Sequence, residues 1–214
     1  MTRSGRTLHD ALMGFARTVV GGDMAAASRW LAASPDLASA CLEEGAARHG
    51  SEGYFFDEIK HYLYAGDTAL HIAAAAYRDE IAQKLIAAGA DVRARNRRGA
   101  EPLHYAVDGG PGSPIWNPSA QAATVASLVA AGADPNAADK SGVTPLHRAV
   151  RTRCTAAVRV LLESGADIRR KNKNGSTPME IATRTTGRGG SGSPEAKAQQ
   201  REIVRLLEQH GASR

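Results

Sequence analysis

The chain carries two dense basic runs whose side chains could bind anions. They read RARNRR at residues 93–98 and RRKNK at residues 169–173. Clustered arginine and lysine side chains attract carboxylates and phosphates and raise the local concentration of acidic ligands. Each run follows a Gly-Ala-Asp triplet at a fixed distance. The fold must therefore position two clusters of positively charged side chains, and both clusters lie in the same sequence context.

Histidines and carboxylates supply the candidates for acid–base or metal chemistry. Asp57, Glu58 and His61 would share one helix face and could bind a metal, although a solvated helix face explains the same spacing. We find no HExxH motif, no nucleophile elbow and no informatively spaced carboxylate pair. We therefore predict a protein that is not an enzyme and that has no catalytic, metal-binding or cofactor-binding residues. Three further histidines occupy one position of a recurring motif, which favours a structural role: His71, His104 and His147.

Two glycine-rich segments resemble each other closely, GGPGSP at residues 109–114 and GGSGSP at residues 189–194. Glycine-rich loops before helices can hold phosphate, but no Lys-Ser/Thr follows either segment. We interpret both as loop insertions. Trp116, just after the first, either folds back over the helix ends or offers an exposed contact.

The motif that contains the three histidines repeats along the chain. It begins at glycines that lie 33, 43 and 33 residues apart, as GDTALH (66–71), GAEPLH (99–104), GVTPLH (142–147) and GSTPME (175–180). Gly-Ala-Asp recurs in register near the end of each unit, shortened to Gly-Ala in the last. The second unit has ten extra residues and the fourth has thirteen, and both insertions fall between the two helices of the unit.

Each unit encodes two short helices. In the third, Thr144 can cap a helix that starts at Pro145, where the missing N–H costs nothing. A second helix over 156–164 ends at Gly165, which suits a left-handed conformation. Neither helix can bury its apolar face alone, so neighbouring units must stack.

This pattern over residues 64–212 resembles the ankyrin repeat family. The resemblance implies an all-α solenoid of stacked helix pairs with short β-hairpin fingers, here about five units. It implies that the motif histidine ties its turn together by hydrogen bonds. It also implies a protein-binding module that uses the fingers and the inner face of the first helices.

We divide the chain into a degenerate N-terminal capping repeat, an aromatic insertion and four repeats. The bounds are 1–37, 38–63, 64–95, 96–138, 139–171 and 172–214. Residues 54–64 hold five of the ten aromatic residues of the chain. Within the insertion, Phe56, Ile59 and Leu63, or Phe55, Ile59 and Tyr62, would line one face of a helix. We expect either an added helix packed on the solenoid or a protruding aromatic contact.

Composition excludes several classes of protein. With 43% hydrophobic and 23% charged residues the chain is neither disordered nor a disulfide scaffold. No apolar run could span a bilayer, and the first 17 residues do not resemble a signal peptide. We therefore expect a cytoplasmic monomer without membrane contact, in which Cys41 and Cys154 are reduced, separately buried thiols.

The net charge of +5 is uneven, because basic residues gather on the predicted fingers and inner face. Two acidic residues, Asp67 and Asp108, and Thr152 are expected on the same face. We predict that this face binds an acidic protein segment; the alternatives are a nucleic acid or other polyanion, self-association, or a solvated surface without a ligand. The predicted partner-binding residues are Tyr64, Arg95, Arg97, Arg98, Trp116, Lys140, Arg151, Lys171, Lys173 and Arg184.

Overall fold

The Thr-Pro-Leu-His motif begins a helix with its own hydrogen bonds. In the computed structural model, which describes residues 3–47, 51–113, 115–184 and 193–213, Thr144 caps the helix that Pro145 starts. The Thr144 N–H donates to His147 Nδ1 at 3.2 Å, and the His147 N–H donates to Thr144 Oγ1 at 3.4 Å. These bonds satisfy groups that the first turn of a helix leaves free. The predicted cap is confirmed.

The helices of the described residues form five pairs that stack in two layers. First helices pack on first helices and second helices on second helices. The predicted all-α solenoid of stacked helix pairs is thereby confirmed. The bounds are α1 Arg3–Gly21 and α2 Met24–Ala33, α3 Ala69–Ala75 and α4 Asp79–Ala87, α5 Pro102–Ala106 and α6 Pro118–Ala130, α7 Pro145–Thr152 and α8 Thr155–Glu163, and α9 Pro178–Thr183 and α10 Pro194–Gln209.

Three motif histidines join each unit to the next. A carbonyl oxygen only accepts hydrogen bonds, so the proton is on Nε2 of each ring. Burial lowers the pKa of all three imidazoles, to about 4 for His104, which keeps them neutral. The predicted structural role is confirmed by these bonds, which end on the carbonyl before the next helix cap: His71 to Ala100 at 3.1 Å, His104 to Val143 at 3.0 Å and His147 to Ser176 at 3.0 Å.

Small side chains allow the helices to approach closely. Every residue of α3, ALHIAAA, is buried. The N-terminal pair joins the same core, in which Leu12 and Phe15 of α1 are fully buried. After α2, a short 3₁₀ helix at Pro35–Ala38 replaces the Gly-Ala-Asp segment of the later units. The prediction of two buried cysteines is half wrong, because Cys41 is exposed and only Cys154 is buried.

The aromatic insertion is a β-hairpin, and the predicted helix is wrong. A 3₁₀ turn at Glu52–Tyr54 leads into β1, Phe55–Phe56, which pairs antiparallel with β2, His61–Tyr62. The turn between the strands is closed by Lys60, which has a left-handed φ of 50° and whose Nζ bonds Asp57 Oδ1 at 2.6 Å. Phe56, Ile59 and Leu63 are the buried residues, as on the predicted helix face. Their spacing thus fits a hairpin equally well.

Backbone hydrogen bonds from the segment before the hairpin and from the residue after it hold the hairpin against the solenoid. The Leu63 N–H donates to the Tyr54 carbonyl at 2.8 Å, and the Ala46 N–H donates to the Leu63 carbonyl at 2.7 Å. Gly45 is required here, because a Cβ at this position would lie 2.4 Å from the backbone nitrogen of Ala65. The insertion is therefore fixed to the chain that leads into α3.

The fingers are tight turns rather than extended strand pairs. Each is closed by a backbone bond of 3.0 Å, with a second backbone bond of 2.7–2.9 Å inside the turn, and no strand is assigned to the described finger residues. The resulting tips are narrow and leave their side chains exposed. The closing bonds run from the N–H of Asn96 to Ala100, of Asp139 to Val143 and of Asn172 to Ser176.

Candidate functional site

Short Asx turns shape the finger tips. In each finger the Asn or Asp side chain accepts hydrogen bonds from backbone N–H groups two and four residues further on, at 2.8–3.1 Å. Such bonds fix a tight turn without any strand pairing. The residues that supply the oxygen are Asn96, Asp139 and Asn172.

Backbone bonds then connect the tips into one row. Each tip donates an N–H to a carbonyl of the preceding finger or, for the first, of the segment before α3. Because the residues in these bonds include the predicted basic ones, the bonds place the cations side by side. The bonds are Arg97 to Ala65 at 2.8 Å, Lys140 to Arg98 at 2.9 Å and Lys173 to Ser141 at 3.0 Å.

Two arginines at the first tip enclose an aromatic ring. The guanidinium carbons of Arg97 and Arg98 lie 5.4 Å and 4.9 Å from the centroid of Tyr64. Cation–π attraction of this kind holds both side chains in place without neutralising them. Arg97 Nη2 also donates to the Ala46 carbonyl. The tyrosine is thereby a platform that orders two positive charges.

A cavity of about 540 Å³ opens beside this row. Among its lining residues, the buried Tyr105 and the partly buried Arg148 form the floor, and the exposed cations form the rim. We call this cavity the basic pocket. Its rim cations are Arg97, Arg98, Lys140 and Arg151.

Two aspartates of the floor form ion pairs with one partly buried arginine. Arg148 on α7 bonds Asp108 Oδ2 at 2.9 Å and Asp139 Oδ2 at 3.1 Å. Burial by itself raises the pKa of Asp108, but the Arg148 charge and a hydrogen bond from His61 outweigh it and hold this pKa well below its usual range. The pKa of Asp139 is likewise lowered against burial, by backbone N–H donors and Arg148. Both carboxylates stay ionised and compensated.

His61 links the hairpin to this floor. Its Nε2 lies 3.3 Å from Asp108 Oδ2 and its Nδ1 lies 2.7 Å from the Tyr62 carbonyl. Since both partners are acceptors, both ring nitrogens must carry protons to make both bonds. Burial lowers the pKa of His61, yet the bond to Asp108 and its charge outweigh burial, so the pKa is raised. Its ring also packs on Tyr105 at 4.5 Å between centroids.

Below the floor, Asp67 is the centre of a buried polar network. Tyr105 Oη donates to Asp67 Oδ2 at 2.9 Å, and Asn96 Nδ2 donates to Asp67 Oδ1 at 2.8 Å. The backbone N–H of Tyr64 donates to the same carboxylate at 2.6 Å. The expectation that Asp67 lies on the inner surface is therefore wrong, because its carboxylate is fully buried where three donors converge.

Comparison with protein families agrees with this geometry. The model for ankyrin repeats in many copies matches residues 128–182, and the model for the single ankyrin repeat matches residues 65–97. The chain contains ankyrin repeats. No curated protein matches its sequence. Ankyrin repeats generally mediate protein–protein interactions, so the finger face is the surface to consider for binding.

Five of the ten residues predicted for partner binding line the basic pocket of this repeat-containing chain. They are Tyr64, Arg97, Arg98, Lys140 and Arg151. Three others are exposed further along the face, outside the pocket: Lys171, Lys173 and Arg184.

The remaining two predicted residues have structural contacts. Arg95 donates to the Gly99 carbonyl at 3.0 Å and to the Ala138 carbonyl, and so bridges two fingers. Trp116 is partly buried against the core, and its Nε1 donates to Gln121 Oε1 at 3.1 Å. Of the two alternatives for Trp116, the structure shows the one that folds back over the helix ends. Thr152, expected on the inner face, donates its hydroxyl to the Val107 carbonyl at 2.9 Å.

Sequence reasoning missed the residues that organise the pocket floor, Arg148, Asp139 and His61. His61 was considered only as part of a metal set with Asp57 and Glu58, but it bonds Asp108 instead. Among the described residues no three His, Cys, Asp or Glu side chains group as metal ligands. One signal was available: Arg148 lies three residues before Arg151, which places both on one helix face.

Two further observations concern the rest of the chain. Within the described ranges, no helix combines the length and apolar character needed to cross a membrane. The glycine-rich segment at 109–113 precedes α6, whereas residues 189–192 of the second such segment lie outside the described residues.

Proposed function

We propose that this protein is a non-catalytic interaction module that binds an acidic protein or peptide segment through the finger face. The observation that supports the proposal best is the unequal neutralisation of charge in the basic pocket. Asp108 and Asp139 are already paired with Arg148, whereas Arg97, Arg98 and Lys140 have no carboxylate within 4.0 Å among the described residues. Because the three rim cations are unpaired while the two aspartates are already neutralised, the pocket attracts an anion from another molecule.

The arrangement of the rim suits an extended acidic segment. The finger row continues beyond the pocket to Lys171 and Lys173, which are exposed. Complementary charge along such a row speeds encounter and disfavours basic partners. An acidic residue of the partner therefore docks in the pocket while its neighbours follow the fingers.

The hairpin offers an apolar contact beside these charges. Phe55 and Tyr62 are paired across the two strands, with ring centroids 4.7 Å apart, and they are 37% and 41% exposed. Tyr62 and Tyr64 line a second, shallower cavity together with Arg97 and Arg98. Exposed aromatic side chains are frequent anchors in protein interfaces. We expect the acidic segment to carry an apolar residue that covers this pair.

Charge reversal tests the proposal. The triple variant Arg98→Glu, Lys140→Glu, Lys171→Glu changes exposed side chains of the finger face. We expect it to lose the proteins that the wild-type chain captures from native lysate, as identified by mass spectrometry. A matched control reverses three exposed cations on second helices, Arg29→Glu, Lys84→Glu and Arg201→Glu, and should retain those proteins. Equal capture by both triple variants would refute the proposal.

A binding measurement with DNA or RNA distinguishes an acidic protein partner from a nucleic acid partner. Binding of DNA or RNA at about 150 mM salt, with a steep dependence on salt, would support the polyanion alternative. We expect none, because aromatic rings do not alternate with the cations along the finger row as stacking platforms would.

A further inference from the structure

The basic pocket holds more positive charge than one carboxylate can neutralise. Four rim cations and Arg148 face two carboxylates, those of Asp108 and Asp139. Arg148 bonds both carboxylates and Arg151 lies 4.0 Å from Asp108 Oδ1, whereas Arg97, Arg98 and Lys140 have no carboxylate within 4.0 Å among the described residues. Several positive charges therefore remain directed at a cavity large enough for one compact polar group.

A phosphoryl group matches this excess better than a carboxylate does. At neutral pH it carries a charge of about −1.5 to −2 and three strong acceptor oxygens. Arginine binds such oxygens through its planar fork, and several arginines can share one group. A carboxylate brings a single charge and two oxygens, and would leave rim cations unpaired.

We propose that the basic pocket receives a phosphorylated side chain carried by the acidic segment of the partner. This inference rests on the proposed function and specifies the ligand of the same site. Tyr64 contributes by ordering Arg97 and Arg98 in advance, so that binding costs less side-chain entropy. Lys140 is placed beside them by the backbone bond from its N–H to the Arg98 carbonyl.

Three matched peptide libraries test this proposal. Each has degenerate positions rich in Asp and Glu around a central residue, which is serine, glutamate or phosphoserine. Retention of the full chain on the immobilised libraries is measured at physiological salt. We expect the phosphoserine library to bind about tenfold more tightly than the glutamate library, the gain of roughly one additional charge-assisted hydrogen bond.

Two double variants assign that preference to the pocket. Arg98→Ala with Lys140→Ala should abolish the preference for phosphoserine over glutamate. Lys171→Ala with Lys173→Ala, outside the pocket, should weaken binding to all three libraries and leave the ratio unchanged. All four side chains are exposed, and unchanged thermal unfolding confirms that both variants fold.

Two results would overturn the inference. Equal retention of the glutamate and phosphoserine libraries, or no retention of phosphoserine, would exclude a phosphate site, whereas the triple charge reversal still tests the proposed function on its own. Inorganic phosphate supplies the second arm. If it binds as tightly as the phosphoserine library, the pocket takes a free anion instead of a side chain presented by a protein.

Discussion

The two halves of the finger face carry similar charge but differ in construction. In the pocket half, Arg97 and Arg98 lie against the Tyr64 ring, beside a partly buried network of ion pairs. In the open half, Lys171, Lys173 and Arg184 are simply exposed. The difference comes from the hairpin insertion, since His61 reaches Asp108 and the segment before α3 supplies Tyr64. A basic stripe becomes a defined pocket only where the insertion covers it.

The largest expected effect at neutral pH comes from removing the central arginine of the pocket half. Arg148→Met takes away the main partner of Asp108 and Asp139, which are only 20% and 9% exposed, so we expect a loss of about 2–3 kcal/mol in the free energy of unfolding. Urea denaturation at neutral pH measures it. Arg184→Met in the open half should change stability by less than about 0.5 kcal/mol. A loss below about 1 kcal/mol for Arg148→Met would show that the two halves are not built differently.

Acid should destabilise the repeat that supports the pocket half through His104, because burial lowers the pKa of this imidazole from its usual 6.5 to about 4. As the pH falls, His104 takes up a proton in the unfolded chain before it does so in the folded chain. Its contribution to the free energy of unfolding is therefore fully present above about pH 6.5 and is lost as the pH drops toward 4. This residue alone accounts for about 3 kcal/mol of the loss. His104→Asn should flatten this part of the curve of unfolding free energy against pH. An unchanged slope in the variant would contradict the assigned neutral state.

A smaller effect, of opposite sign, is expected from His61. Its raised pKa means that its contribution is present below about pH 6.5 and is lost as the pH rises through the folded value. His61→Gln keeps a hydrogen-bond donor but removes the charge. We expect a cost of about 1 kcal/mol near pH 5.5 and less near pH 8.5, measured by urea denaturation. A cost that grows with pH would rule out the imidazolium state.

The repeats were predictable because their signals are local. Thr144, Pro145 and His147 lie within four residues and fix a cap, and the motif histidines recur in register with the carbonyls they bond. Likewise the basic residues at the finger tips follow from the position of the Asx residue in each turn. Local bonding specifies the caps and the finger turns, whereas the histidine–carbonyl bonds span 29–39 residues and follow from the repeat register.

The pocket was only half predictable, because its floor depends on distant contacts. His61 and Asp108 are 47 residues apart, and Arg148 is 40 residues beyond Asp108. No spacing in the sequence signals that they meet. The hairpin was mistaken for a helix because burial of Phe56, Ile59 and Leu63 fits both structures, and the turn was decided by the left-handed backbone of Lys60.

The most direct test of this account compares the two halves of the finger face in binding. The probe is the degenerate peptide library rich in Asp and Glu, with a phosphoserine at its centre, and dissociation constants are measured for two double charge reversals of equal net charge. We expect Arg98→Glu with Lys140→Glu to weaken binding by at least about a hundredfold, and Lys171→Glu with Lys173→Glu by about tenfold or less. Equal losses in the two halves would show that only net charge matters, and would contradict the claim that the hairpin creates a specific pocket.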